Sequence, residues 1–346
     1  MSSRQSNPRI VALLARHLLW LVVIAELAAG YALNSAFLTP MNITVILFAC
    51  TLNGLLALGQ SLVLIAREID LSVGANLIFA PMLAIYTTNY LSLHLAGTPT
   101  LIGSTGMMTG GWTAVMALTL LYAVAIGLLN GLIVTRLLVP SFITTIGMAF
   151  FLKGMSNVIT NGQPIAFRNL DEAAYLGNVT LWDVVPLSFV IFVSIALVLA
   201  FLSSHTRFGM RLYATGGGLK AAGLAGINTD RWRLVSFVLC GLMVGIASIL
   251  FVSRMQGLDI HQTSAFELNS IAISIMGGIA ISGGRGSLIG TMLATIIVAI
   301  LLNILNLAGF GAFYQSAITG LIVLVLAILY QRRQSQRLKA RKVVEV

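Results

Sequence analysis

Arg67-Glu68-Ile69-Asp70-Leu71-Ser72-Val73-Gly74 stands between two long apolar runs. Three ionisable residues fall within four positions, and a small Ser-Val-Gly turn follows at once. Charge at that depth of a membrane-like sequence is expensive, so it normally marks a place where function needs it. The apolar runs on either side approach the ~20 residues that cross a bilayer. The stretch reads as a break between two membrane helices.

The rest of the chain has the same character. Of 346 residues, 58% are hydrophobic and only 9% are charged, against about 25% in a soluble domain. Mean hydropathy is +0.98. Expected spans are 18–34, 43–66, 74–92, 113–135, 140–159, 185–203, 234–254, 266–282, 286–308 and 315–330. The expected fold is an all-α polytopic membrane protein of about ten transmembrane helices, with two related halves and interrupted helices. A β-barrel would show short alternating segments instead. The first apolar stretch reads as an uncleaved helix, longer than most signal cores.

The charge is segregated. Net charge is +10, with +3 in 1–17, +4 in 204–233 and +5 in 331–346. The positive-inside rule makes all three cytoplasmic. In a chain this apolar the basic balance reads as orientation, with no nucleic-acid partner. This divides the chain into a basic N-terminus (1–17), a transmembrane domain (18–330) and a basic tail (331–346). No soluble domain is expected, since 204–233 is too short to bury its own core.

The halves resemble each other weakly. Ser61–Leu91 runs apolar, then Asp-Leu-Ser-Val-Gly, then apolar; Ala272–Leu301 runs apolar, then Gly283-Gly284-Arg285-Gly286-Ser287, then apolar. Interrupted segments at matching places point to a repeat-built transporter, while two ordinary tight loops are the simpler alternative.

Chemistry-bearing residues are few. Glu68 and Asp70 suggest a proton- or cation-coupled secondary carrier. They equally suit structural use, with Arg67 neutralising one and Asp70 capping the next helix. In the basic loop, Gly216–Gly218 should break one helix. Leu219–Leu224 can form a short Ala-rich helix that Gly226 ends. Such a helix fits a groove in another protein. No Gly-x-x-x-x-Gly-Lys-Ser/Thr spacing occurs. Cys50 and Cys240 suit neither a disulfide nor a metal site. His94, His205 and His261 form no ligand set, and no intramembrane catalytic set is found. Glu26 and Lys153 lie in apolar spans, where snorkelling or an interhelical pair suits them. Gly241-x-x-x-Gly245 and Gly286-x-x-x-Gly290 should permit close helix approach. Trp20, Trp112, Trp182 and Trp232 fall near span ends, as interface anchors do.

Glu68-Ile69-Asp70-Leu71-Ser72-Val73-Gly74 resembles the signature of permease subunits of ribose-type bacterial ABC importers, a monosaccharide family that includes autoinducer-2 permeases. The likeness continues through Val139-Pro140-Ser141-Phe142-Ile143-Thr144-Thr145-Ile146-Gly147, Thr160-Asn161-Gly162, Thr206-Arg207-Phe208-Gly209, Tyr213-Ala214, Gly216-Gly217, Ala221-Ala222 and Gly226-Ile227-Asn228. It then runs from Glu267-Leu268 through Gly277-Gly278 and Gly283-Gly284-Arg285-Gly286 to Tyr314-Gln315. Two positions depart from the pattern: Gly218 stands where Asn is usual, and Asn269 where Asp is usual.

The resemblance implies a bacterial inner-membrane subunit with both termini cytoplasmic and no covalent chemistry or cofactor of its own. ATP and Mg would sit on two partner ATPase subunits. A second permease chain (identical or paralogous) and an extracytoplasmic sugar-binding protein would complete the importer within membrane lipid. It implies ATPase coupling through Gly216, Gly217, Lys220, Ala221, Ala222, Gly226 and Ile227. The signature turn would comprise Glu68, Asp70, Ser72 and Gly74. Since sugars are recognised through hydroxyls, Asn53, Gln60, Asn157, Asn303 and Asn306 are candidates for the substrate pathway.

Overall fold

The computed structural model describes residues 8–96, 111–166, 171–259 and 264–311, with single positions among 314–325. Helices dominate these residues. They are α1 (Pro8–Leu33), α2 (Pro40–Ile65), α3 (Val73–Ala96), α4 (Trp112–Arg136), α5 (Ser141–Thr160), α6 (Asp171–Asn178) and α7 (Leu187–His205). Then come α8 (Arg207–Gly217), α9 (Leu219–Leu224), α10 (Thr229–Met255), α11 (Ser264–Met276) and α12 (Leu288–Leu307). Short antiparallel pairs join β1 (Ile165–Ala166) to β4 (Gly257–Leu258), and β2 (Thr180–Leu181) to β3 (Val185–Pro186).

The chain is a polytopic all-α membrane protein. Six of the described helices are long and apolar enough to cross a bilayer: α2, α4, α5, α7, α10 and α12. The apolar part of α1 is Leu19–Leu33, and α11 contributes only Phe266–Met276. The expected span at 315–330 falls largely outside the described residues. The expected 266–282 helix stops at Met276, because Gly278 turns left-handed (φ 92°). The next helix starts at Leu288, after Ser287 accepts a hydrogen bond from the Gly290 N–H at 3.4 Å.

The core is organised around α2. From Cys50 to Ile65 every residue is buried, as expected for a helix apolar on all sides. It packs against α7, α10, α11 and α12. Pro40 opens it, where a missing N–H costs little. Trp112, expected at a lipid interface, is instead buried in this core.

Helices α4 and α10 approach through glycine. A Cβ on Gly241 would lie 2.5 Å from the Ala123 carbonyl, and one on Gly127 would lie 2.5 Å from the Phe237 carbonyl. Between membrane helices, packing of this kind stands in for the hydrophobic effect. Gly241→Leu is therefore expected to destabilise the protein by at least ~2 kcal/mol, read as a lower unfolding midpoint in detergent. Gly147→Leu is the control and should shift it little, because no atom lies within 4 Å of that position.

Two ends of the bundle are defined by contacts. Segments 66–72, 137–140, 206–228 and 277–287 share one end, which carries Arg67, Arg136, Arg207, Arg211, Lys220 and Arg285. At the other end Thr44 donates to the Val184 carbonyl at 2.8 Å, and β1 pairs with β4.

Candidate functional site

At the basic end, α2 does not simply turn into α3. Arg67 adopts a left-handed conformation (φ 70°), and the Glu68 N–H returns to the Val63 carbonyl at 3.0 Å. The chain then runs back along α2. The Gln60 carboxamide holds both backbone groups of Asp70, donating to its carbonyl at 2.9 Å and accepting from its N–H at 3.3 Å. Asp70 Oδ1 accepts from the Ser72 N–H (2.8 Å) and hydroxyl (2.6 Å). Asn130 Nδ2 donates to Ser72 Oγ at 2.9 Å. From α5, Ser141 Oγ accepts the Ile69 N–H at 3.3 Å, and the Thr145 hydroxyl donates to the Ile69 carbonyl at 3.3 Å. Buried polar groups need such partners. The signature turn is therefore fastened to α2, α4 and α5, and α3 begins inside the bundle. Gly74, expected in this turn, already lies in the first turn of α3.

Glu68 is neutralised by Arg233, not by Arg67. Arg233 Nε lies 2.6 Å from Glu68 Oε1, with both side chains largely buried, whereas Arg67 is exposed. Sequence proximity pointed to the wrong arginine, since the left-handed turn at Arg67 leaves its side chain outside the packed turn. The signal available for Arg233 was its place at the start of α10, flanked by apolar residues.

Three segments close on this turn. Gly284 N–H donates to the Ile65 carbonyl at 2.9 Å. Gly216 lies so close to that carbonyl that a Cβ would overlap it, and the same Cβ would stand 2.6 Å from Gly284 N. The Tyr213 hydroxyl donates to the Gly286 carbonyl at 3.0 Å. Burial pushes the Tyr213 phenol up from its usual range. Helix α8 continues through Gly216 and Gly217 and breaks at Gly218. Gly218 is extended (φ 174°), so the Asn usual in the resemblance would fit there.

Helix α9 follows as a short exposed element. It ends in a Schellman arrangement: Ile227 N–H to the Ala222 carbonyl (3.0 Å) and Gly226 N–H to the Gly223 carbonyl (3.0 Å), with Gly226 left-handed at φ 79°. Ala222 is buried beneath it, and Ile227 is half-buried. Lys220, Ala221, Gly226 and Leu224 face outward, Leu224 at 92% exposure. Arg67, Glu68, Gly218, Leu219, Lys220 and Ala221 line a cleft of about 700 Å³ between α9 and the signature turn.

The five pathway candidates are not brought together. Gln60 is fully buried, and its amide is occupied by Asp70. Asn303 is buried in a reciprocal amide pair with Asn42, at 2.8 and 3.0 Å. Asn53 is buried and donates to the Ala49 carbonyl at 3.1 Å. Asn157 and Asn306 are exposed on different helices. Asn269 is buried in α11. Absent from those five candidates is an ion pair: Lys153 Nζ of α5 lies 3.0 Å from Glu267 Oε1 of α11. The available signal was one cation and one anion in separate apolar stretches.

A family model described as branched-chain amino acid transport system / permease component matches residues 42–327. The ribose import permease protein RbsC of Bacillus subtilis (strain 168) is 32% identical over 312 residues, covering 88% of each chain. The L-arabinose ABC transporter permease protein AraH of Azospirillum brasilense is 31% identical over 310 residues, covering 87% of this chain and 83% of its own. The xylose/arabinose import permease protein XylH of Sulfolobus acidocaldarius is 29% identical over 313 residues, covering 90% and 83%. No solved structure matches the chain. With nearly the whole membrane region matched, and with relatives of this identity over most of their length, this chain belongs to the transport-system permease family.

Proposed function

We propose that the chain is the transmembrane permease subunit of an ATP-driven ABC importer that moves a monosaccharide or a related small polar solute. One observation supports this above the others. The signature turn, the α8–α9 loop and the 283–286 turn are far apart in sequence, yet they share one junction bonded through Ile65 and Gly284. A push on α9 would reach the start of α3 through that junction. The names of the relatives, ribose, arabinose and xylose permeases, suggest the solute class.

In this reading the basic end is cytoplasmic, as are both termini. The chain has about ten spans in two related halves and sits in a bacterial inner membrane. Two ATPase subunits, which hold ATP and Mg, dock around α9. A second permease chain and an extracytoplasmic sugar-binding protein complete the assembly. The secondary-carrier alternative has less support: Glu68 is committed to Arg233, and Asp70 to the Ser72 turn.

The test is accumulation of labelled pentose in proteoliposomes. Uptake against a gradient should require the ATPase subunits and ATP, and should ignore an imposed proton gradient. Accumulation driven by protons without those subunits would overturn the reading. The docking site has its own probe. Gly226 is a poor choice, because its left-handed backbone strains any side chain. Leu224→Asp is better: Leu224 touches little of its own chain, and buried apolar anchors dominate interfaces. It should leave the unfolding midpoint unchanged and reduce ATPase co-purification by at least tenfold.

A further inference from the structure

Lys153 and Glu267 lie near the middle of the membrane. The depth of Lys153 follows from Thr145, which bonds Ile69 beside the signature turn. Lys153 is two turns further along α5, about 12 Å toward the opposite end. Glu267 is placed by Ser274, which donates to the Ala57 carbonyl at 3.0 Å. Helices α2 and α11 run in the same direction, so Glu267 stands about 10 Å back from Ala57, level with the middle of α2.

The pair is not sealed in the core. Its side chains retain 26% (Lys153) and 15% (Glu267) exposure. Glu267 Oε1 is itself buried, with the Lys153 ammonium 3.0 Å away as its partner. The carboxylate also faces the backbone N–H of Ala75, in the first turn of α3. The first N–H groups of a helix lack partners within it and carry partial positive charge. Beside the pair, Gly154 leaves open space with no atom within 4 Å, and Asn157 presents an exposed carboxamide one turn along α5. An ion pair with this exposure would be costly against lipid, and such residues face water-filled routes.

We propose that Lys153, Glu267 and the first turn of α3 form a solute-contact site for a polyhydroxylated solute at mid-membrane. Glu267 accepts from one hydroxyl, while Lys153 donates to its neighbour. The open surface at Gly154 admits the ring. A neutral polyol is a suitable ligand because it brings both donors and acceptors and leaves neither ion unpaired. The site rests on the importer reading above and adds its point of solute contact.

The test uses the assembled importer in proteoliposomes, with labelled ribose, arabinose and xylose as probes and 2-deoxyribose as competitor. Lys153→Met and Glu267→Gln should each cut initial uptake at least tenfold. Glu267→Gln should also shrink the preference for ribose over 2-deoxyribose. Gly154→Leu fills open space, so it should cut uptake without lowering the unfolding midpoint. A purely structural pair predicts otherwise: exchanging the charges, Lys153→Glu with Glu267→Lys, would restore uptake to near wild type. That restoration, or uptake and sugar preference unchanged in both Glu267→Gln and Gly154→Leu, overturns the site while leaving the importer reading intact. A wild-type assembly that hydrolyses ATP but moves none of the three pentoses overturns the importer reading itself.

Discussion

Glu68→Ala should cost about 3–5 kcal/mol of stability. Replacement leaves the Arg233 guanidinium, only 14% exposed, without its 2.6 Å partner. Asp230 cannot take over: it lies 3.3 Å from Arg233 but is 58% exposed, and a solvated partner of that kind contributes little. Breaking a buried pair on one side is far more damaging than removing both members. Glu68→Gln combined with Arg233→Gln should therefore recover most of the loss. The measurement is the unfolding midpoint and the folded yield in detergent. A Glu68→Ala protein as stable as wild type would mean that Arg233 reaches water easily and that the pair does not hold the turn to α10.

Gly216→Ala should be strongly destabilising, whereas Gly217→Ala should be neutral or slightly favourable. Inside an ordinary helix, Ala is favoured over Gly by about 0.5–1 kcal/mol. Gly217 is the last helical residue of α8, with nothing within 4 Å of the place an added methyl would occupy. At Gly216 the methyl would overlap the Ile65 carbonyl and crowd Gly284 N. Backbone on both sides cannot swing aside as a side chain could, so the Gly284–Ile65 hydrogen bond is lost. The cost should exceed the ~1–3 kcal/mol typical of overpacking. Hydrogen exchange reports it directly: the Gly284 amide should lose protection in Gly216→Ala and keep it in Gly217→Ala. Retained protection in both would show that α8 shifts as a unit to accommodate the methyl.

The elements most legible in the sequence were those with local causes. Helix α9 followed from a short Ala-rich run between glycines, and Gly226 ends it through left-handed geometry that glycine adopts cheaply. The close contact at Gly241 followed from small-residue spacing. Asp70 beside the start of α3 followed from the habit of carboxylates to accept helix-start amides. Partner choice was another matter. Arg233 is 165 residues from Glu68, while Arg67 is adjacent and points away. Gln60, Asn53 and Asn303 share a polar residue type with a pathway lining, but each proved to be buried. Amide side chains serve equally as glue between membrane helices, and residue type alone does not separate the two uses.

By itself the sequence determined that this chain crosses a membrane repeatedly, which end is basic, and which family it resembles. Hydropathy and charge are sums over neighbouring residues, so they need no knowledge of the fold. Only the tertiary structure decided that the signature turn runs back along α2, that Gly216, Ile65 and Gly284 meet, and that Lys153 faces Glu267. Those contacts join residues far apart along the chain. Their distances are set by how the helices pack, and no local window contains that information.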